Sequence, residues 1–282
     1  MAAVLWGCFA VSQATHVPRY HLTLTPAEWH LPFESLTITT ADGVRLAGWL
    51  LIPPSPRGIV VVQHGYGTCR ADPLQLTALV VRGGYAAVSV DFRGHGESGG
   101  TCSFGKREPL DVRAAIDAAL AHPRLRGLPV AYLGISLGAA IGILTAAEEP
   151  RIQALISDSS YARLAPMVGR YQRVAYGLPE VPCGWITAAC LAVGLRTTLS
   201  ALDPVRAVGR VRCPILIIHG KEDMSIPVSH AQALYQAARQ PKELWVVPGA
   251  GHVASLYQAD AEYAQRVFTF LERTLSHAAR PA

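Results

Sequence analysis

The five residues Gly134-Ile135-Ser136-Leu137-Gly138 constrain this chain more than any other stretch. They follow an apolar run, Pro129 to Leu133, with the makings of a strand, and they open a helical stretch, Leu137 to Glu148. A serine between such a strand and such a helix sits on a sharp turn. Its backbone is held in a strained conformation, and the flanking glycines remove side chains that would collide there. The first turn of the helix aims unpaired N–H groups at the serine, a setting that favours developing negative charge. Gly138, Ala139, Ala140 and Gly142 let the helix lie close to a sheet.

The rest of the chain alternates strand and helix around this turn. Phe33 to Thr40 and Val44 to Ile52 read as strands joined by the turn Ala41-Asp42-Gly43. After the break Pro53-Pro54-Ser55-Pro56, the run Gly58 to Gln63 is β-branched without alternation, as in a strand covered on both faces. Ala86 to Val90, Pro129 to Leu133, Ile152 to Ser157, Pro214 to Ile218 and Leu244 to Val247 continue the series. Helices are expected over Pro73 to Arg82, Leu110 to Ala121, Leu137 to Glu148, Ser229 to Ala238 and Ala254 to Leu275. This order predicts an α/β chain with a mostly parallel, doubly wound sheet and antiparallel N-terminal strands. With half of the residues hydrophobic and 16% charged, a large buried sheet is within reach of the composition.

Tyr161 to Leu202 interrupts the alternation. It reads as two or three helices broken at Pro166, Pro179, Pro182 and Gly184, a small helical cap inserted between two strands. Val181 to Leu195 carries no charge and includes Trp185, Ile186 and Leu191. That stretch is read as an apolar lid over a substrate pocket, or as a face packed on the sheet edge, and the two readings are compatible. The expected organisation is a lead-in over 1–32, a core over 33–160 and 203–282, and a cap over 161–202.

A serine hydroxyl needs a base before it attacks anything. His252, in Pro248-Gly249-Ala250-Gly251-His252, follows the last strand on a glycine-rich loop and is the expected base. The base needs an orienting acid. Asp223 follows the strand Pro214 to Ile218 and is preferred; adjacent Glu222 and Asp158, just past another strand, are rivals. Ser136, Asp223 and His252 thus occur in the chain order Ser, Asp, His. The oxyanion formed on attack requires N–H donors. Leu137 and Tyr66, the latter in His64-Gly65-Tyr66-Gly67, are the candidates through their backbone amides, with His64 expected to brace the loop. The chemistry calls for no metal or other cofactor.

The remaining features limit the partners. The net charge of +5 comes almost wholly from dispersed arginines, with no basic cluster interleaved with aromatics, so nucleic acid is not an expected partner. The six cysteines show no zinc-ligand spacing and are expected to be reduced; a Cys69–Cys102 disulfide at one rim of the fold is the alternative. The apolar run Met1 to Val11 falls short of the about 20 residues that span a bilayer. It is expected to be a buried or capping helix in a cytoplasmic protein, with the tail end of a membrane anchor as the alternative.

Several motifs together resemble a known family. They are Asp42-Gly43-Val44-Arg45-Leu46-Ala47-Gly48-Trp49, His64-Gly65-Tyr66-Gly67, Asp91-Phe92-Arg93-Gly94-His95-Gly96-Glu97-Ser98, the Ser136 turn, His219 to Asp223, and Gly251-His252. Over about residues 33 to 275 the chain resembles single-domain α/β-hydrolases of the prolyl-oligopeptidase-like and monoacylglycerol-lipase-like type. The resemblance implies the α/β-hydrolase fold, and that Asp91 and Arg93 pin a loop rather than do chemistry. Related proteins often begin with a membrane helix, of which this chain would keep a remnant. The expected activity is hydrolysis of small-molecule carboxylic esters of short to medium acyl chain through an acyl-enzyme. Peptide, amide or thioester cleavage on the same residues is the alternative. A non-catalytic binding module would require a broken constellation, and this one is intact by type and order.

Overall fold

The computed structural model describes residues 2–19 and 24–278 of the chain. Eight strands form one sheet: β1 (Glu34–Thr39), β2 (Arg45–Leu51), β3 (Ile59–Gln63), β4 (Ala86–Val90), β5 (Val130–Ile135), β6 (Ile152–Asp158), β7 (Ile215–Gly220) and β8 (Lys242–Val247). Their spatial order is β1-β2-β4-β3-β5-β6-β7-β8. β1 and β2 are antiparallel, β2 meets β4 antiparallel, and every other neighbour is parallel. This is the α/β-hydrolase fold expected from the sequence, with antiparallel pairing confined to the two pairs that β2 makes, with β1 and with β4. The hairpin closes through the Thr40 hydroxyl, which donates to Asp42 at 2.6 Å and accepts the Val44 amide at 3.0 Å.

Ten α-helices accompany the sheet among the described residues: α1 (Ala2–Thr15), α2 (Leu74–Arg82), α3 (Glu108–Ala121), α4 (Leu137–Ala146), α5 (Leu164–Tyr176), α6 (Trp185–Leu195), α7 (Pro204–Ala207), α8 (Ser229–Ala237), α9 (Ser255–Gln258) and α10 (Asp260–Ala278). The unalternating strands are explained by cover on both faces. Ile59 and Val61 of β3 join the apolar cluster that holds α3, α4 and α8, while Val60 and Val62 join the one that holds α2 and α10. Removing each such side chain from water is worth about 1.5–3 kcal/mol, so the central strands anchor the molecule.

Three sequence expectations need adjustment. β5 runs on through Gly134 and Ile135, because both continue to pair with Ser157 and Asp158 of β6. The last helix is not continuous: Ala259 leaves helical geometry at φ −145°, ψ 54° and separates α9 from α10. Pro166 does not break a helix; it sits in the first turn of α5, where its missing N–H has no intrahelical acceptor to lose. The true break lies between α5 and α6, which bend by 119° across it. There Gly169 and Gly184 meet so closely that a Cβ on Gly184 would lie 2.5 Å from Gly169 Cα.

α1 packs on this inserted segment rather than standing apart from it. A Cβ on Gly7 would lie 2.7 Å from Cys190 Sγ of α6, and Trp6 meets Tyr176 edge-on at 5.4 Å. No single helix among the described residues is long and apolar enough to cross a membrane; only the bent pair α5 and α6 approaches that length and composition together. Cys69 and Cys102 are free, buried thiols and form no disulfide. Cys8 on α1 and Cys190 on α6 lie where these two helices pack together.

Candidate active site

The turn between β5 and α4 is sterically forced. Ser136 adopts φ 52°, ψ −117°, a conformation an L-residue holds only where its surroundings over-determine it. A Cβ on Gly134 would lie 2.5 Å from the carbonyl carbon of Gly138, and one on Gly138 would lie 2.5 Å from the carbonyl oxygen of His64. Both collisions are with backbone and leave nothing to yield. The Ser136 amide is tied to the Asp158 carbonyl at 2.9 Å, which fixes the serine at the open end of β5.

His252 reaches this serine from the loop after β8. Its Nε2 lies 3.0 Å from Ser136 Oγ, and its Nδ1 lies 2.7 Å from Asp223 Oδ2. Asp223 is held at its other oxygen, where Oδ1 accepts the amides of Ser225 at 2.9 Å and Ile226 at 2.7 Å. Burial pushes the Asp223 carboxyl towards neutrality, but the bonds from His252 and the Ile226 amide outweigh it and leave the pKa below its ordinary value. Asp223 is therefore an anion facing the imidazole.

The two rival acids are occupied elsewhere. Glu222 turns its side chain to solvent. Asp158 is buried, with Oδ1 accepting from Ser159 Oγ at 3.0 Å and Oδ2 accepting from Tyr263 OH at 3.1 Å. Burial pushes its pKa up to about 6. Asp158 borders the same cleft but makes no hydrogen bond to His252; its neighbour Ser159 accepts the Val253 amide at 3.2 Å and so braces the histidine loop.

The loop after β3 closes the other side. A Cβ on Gly65 would lie 3.3 Å from Ser136 Cβ, so its backbone passes directly beside the serine. His64 is wholly buried, with Nε2 accepting the Phe92 amide at 2.9 Å and Nδ1 donating to the Gly65 carbonyl at 2.7 Å. Burial, reinforced by nearby His95, lowers its pKa to about 3, so it stays neutral and braces the loop as expected. Among the described residues no acceptor takes the amide of Tyr66 or that of Leu137. The Asp91–Ser98 segment is structural too. Arg93 pairs with Asp42 at 2.7 Å and Asp111 at 2.6 Å, and Asp91 accepts the Arg70 amide at 2.7 Å and pairs with its guanidinium.

Two cavities meet at Ser136 and His252. The smaller, about 260 Å³, has mixed walls, with Thr68, Asp72, Gln75 and Asp158 set among Leu76, Ile135, Leu256 and Tyr257. The larger, about 460 Å³, is mainly apolar and lies beneath α1, α5 and α6. The expected cap residues divide. Leu191 is buried and lines the larger cavity, whereas Trp185 is 70% exposed and Ile186 is half-buried towards Gly7 of α1; neither lines either of these two cavities. α6 is apolar on all sides, so composition could not say which face turns inward. Residues of α1, including Val11 and Ala14, line the larger cavity and were not expected there. Their small apolar side chains carry no motif that sequence reading could have used. No group of three His, Cys, Asp or Glu side chains able to hold a metal occurs among the described residues.

A model of the Alpha/beta hydrolase family matches residues 59–266, which runs from β3 into α10 and contains Ser136, Asp223 and His252. The chain belongs to the alpha/beta hydrolase family. The structure of this alpha/beta hydrolase is similar to that of the Pyrococcus furiosus esterase Pf2001, with a TM-score of 0.77 and 25% identity over 93% of this chain and 99% of the esterase. In sequence it is 27% identical to the uncharacterized protein YqkD of Bacillus subtilis, over 84% of this chain and 79% of YqkD. It is 29% identical to the uncharacterized protein Rv2307c of Mycobacterium tuberculosis, over 78% of this chain and 72% of Rv2307c.

Proposed function

We propose that this hydrolase cleaves carboxylic esters of short to medium acyl chain through a Ser136–His252–Asp223 triad and an acyl-enzyme. The observation that carries the reading is the unbroken hydrogen-bonded run from Asp223 Oδ2 through the imidazole to Ser136 Oγ, at 2.7 and 3.0 Å. His252 takes the hydroxyl proton as Ser136 attacks the carbonyl carbon, and the Asp223 anion stabilises the imidazolium that results. The tetrahedral oxyanion accepts hydrogen bonds from the Leu137 and Tyr66 amides. His252 then protonates the leaving alcohol, and water releases the acid by the same steps in reverse order. The mainly apolar larger cavity supports an acyl chain as the bound group. The likeness to an esterase supports an ester over an amide.

A fluorophosphonate probe tests the nucleophile. Wild type is expected to be labelled and Ser136→Ala not; labelling that survives Ser136→Ala would overturn the assignment. A panel of nitrophenyl esters, thioesters and aminoacyl anilides tests the bond. Faster turnover of anilides or thioesters than of esters would replace the ester reading by one of its alternatives.

A further inference from the structure

We infer that α1 forms a wall of the acyl site, so that Val11 and Ala14 set the longest acyl chain this hydrolase accepts; the inference rests on the serine-hydrolase reading above. The candidate nucleophile lies where two cavities join, and they differ in chemistry. The smaller one presents the carboxyl groups of Asp72 and Asp158 with Thr68 and Gln75, and no lysine or arginine lines it. It suits a leaving group that carries no negative charge. The larger one opens at Ser136 and Leu137, on the side of the candidate oxyanion donors, and its walls are mainly aliphatic and aromatic. An alkyl chain gains roughly fourfold in binding for each methylene moved from water into such surroundings.

One wall of that larger cavity is the N-terminal helix. Ala10, Val11, Gln13 and Ala14 line it, opposite Leu164 and Met167 of α5 and Leu191 of α6. Ala10 and Ala14 stand one turn apart on one face of α1, and their small side chains leave the space that a chain would fill. α1 is seated by specific contacts. The Tyr66 hydroxyl donates to the Ala14 carbonyl at 3.0 Å, and the Cys102 amide donates to the Thr15 carbonyl at 3.0 Å. Gly7 lies against Cys190 of α6 so closely that a side chain there would collide. Tyr66 thereby links both ends of the site: its backbone borders the serine while its phenol holds α1.

The experiment compares labelling of Ser136 by a methyl and an octyl fluorophosphonate in the full chain. Wild type is expected to react faster with the octyl probe. Ala14→Phe and Val11→Trp are each expected to lower the octyl-to-methyl rate ratio by about tenfold or more. Trp185→Ala, outside the cavity, is expected to leave the ratio unchanged. An unchanged ratio in both wall variants would overturn the inference. Lack of labelling by either probe in folded wild type would instead overturn the underlying serine-hydrolase reading, and the inference with it. A measurement free of wall substitutions covers loss of folding. Because α1 packs on α6 with Gly7, next to Cys8, against Cys190, a disulfide exchange reagent is expected to take up two electrons and two protons from the Cys8 and Cys190 thiols and join them. The cross-link should vanish in Cys190→Ser, and failure to form it in wild type would show that α1 does not sit on α6 and would overturn the inference.

Discussion

The turn at Ser136 and the roof over the cavities are held by different physics. At the turn, backbone meets backbone: Gly134 and Gly138 have no room for a Cβ, and Ser136 is kept at positive φ by pairing on both sides. The roof of α1, α5 and α6 is seated mainly by apolar contact and leaves Phe9, Val174, Trp185 and Val193 at least half exposed. The turn tolerates almost no change and holds one geometry, as a reaction centre requires. The roof can vary in side-chain size without disturbing that geometry, which suits the acyl site proposed for it.

The contrast is broken most sharply at the serine. Ser136→Ala is expected to lower kcat by about a millionfold, measured on a nitrophenyl ester, with the unfolding temperature little changed. Next in size is the acid. Asp223→Asn should lower kcat by about 10⁴-fold, whereas Asp158→Asn should retain most of it, since only Asp223 faces His252. Equal losses in the two variants would mean that both carboxyls act on the histidine. Gly138→Ala measures the steric side of the comparison: its Cβ would meet the His64 carbonyl, and a loss of about 1–3 kcal/mol in urea unfolding is expected.

A pH experiment sharpens the same region. His64 is neutral when folded down to about pH 3, while in the unfolded chain it takes up a proton below about 6.5. Between those values the unfolded state binds more protons, so stability falls as pH falls, by up to about 1.4 kcal/mol per unit for this one group. Asp111 and Asp158, raised by burial to about 7 and about 6, act in the opposite sense. The measurement is therefore the difference between wild type and His64→Asn in urea unfolding from pH 7 to 4.5, where the variant should lose less stability on acidification. The smallest effect belongs to the roof: Trp185→Ser, at an exposed position, should change stability by no more than about 0.5 kcal/mol and leave acyl preference unaltered.

Much of the core was legible before any coordinates. Eight strands were read from period-2 and apolar runs, and the central ones stood out because burial on both faces writes itself into the sequence as β-branched residues. The serine turn was legible because its steric demands act within five residues. The boundary between α9 and α10 was not, since Ala259 differs in no chemical way from its helical neighbours. The choice between Asp223 and Asp158 was only a preference in the sequence, for each follows a strand and the two strands are neighbours. Coordinates separate them by hydrogen bonding: two amides hold one oxygen of Asp223 and leave the other to His252, while Tyr263 and Ser159 occupy Asp158.

Sequence alone determined the alternation of strands and helices and the strained serine turn, and it ranked the partners of the serine without deciding the acid, because local sterics and burial patterns survive in one dimension. It could not determine what closes the site. His252 and Ser136 lie 116 positions apart, and α1 meets α6 across most of the chain. Which face of an all-apolar helix turns inward depends on the shape of the surface it meets, and that surface exists only once the sheet has formed. Tertiary packing therefore decided that Leu191 faces the cavity, that Trp185 does not, and that the first helix forms part of its wall.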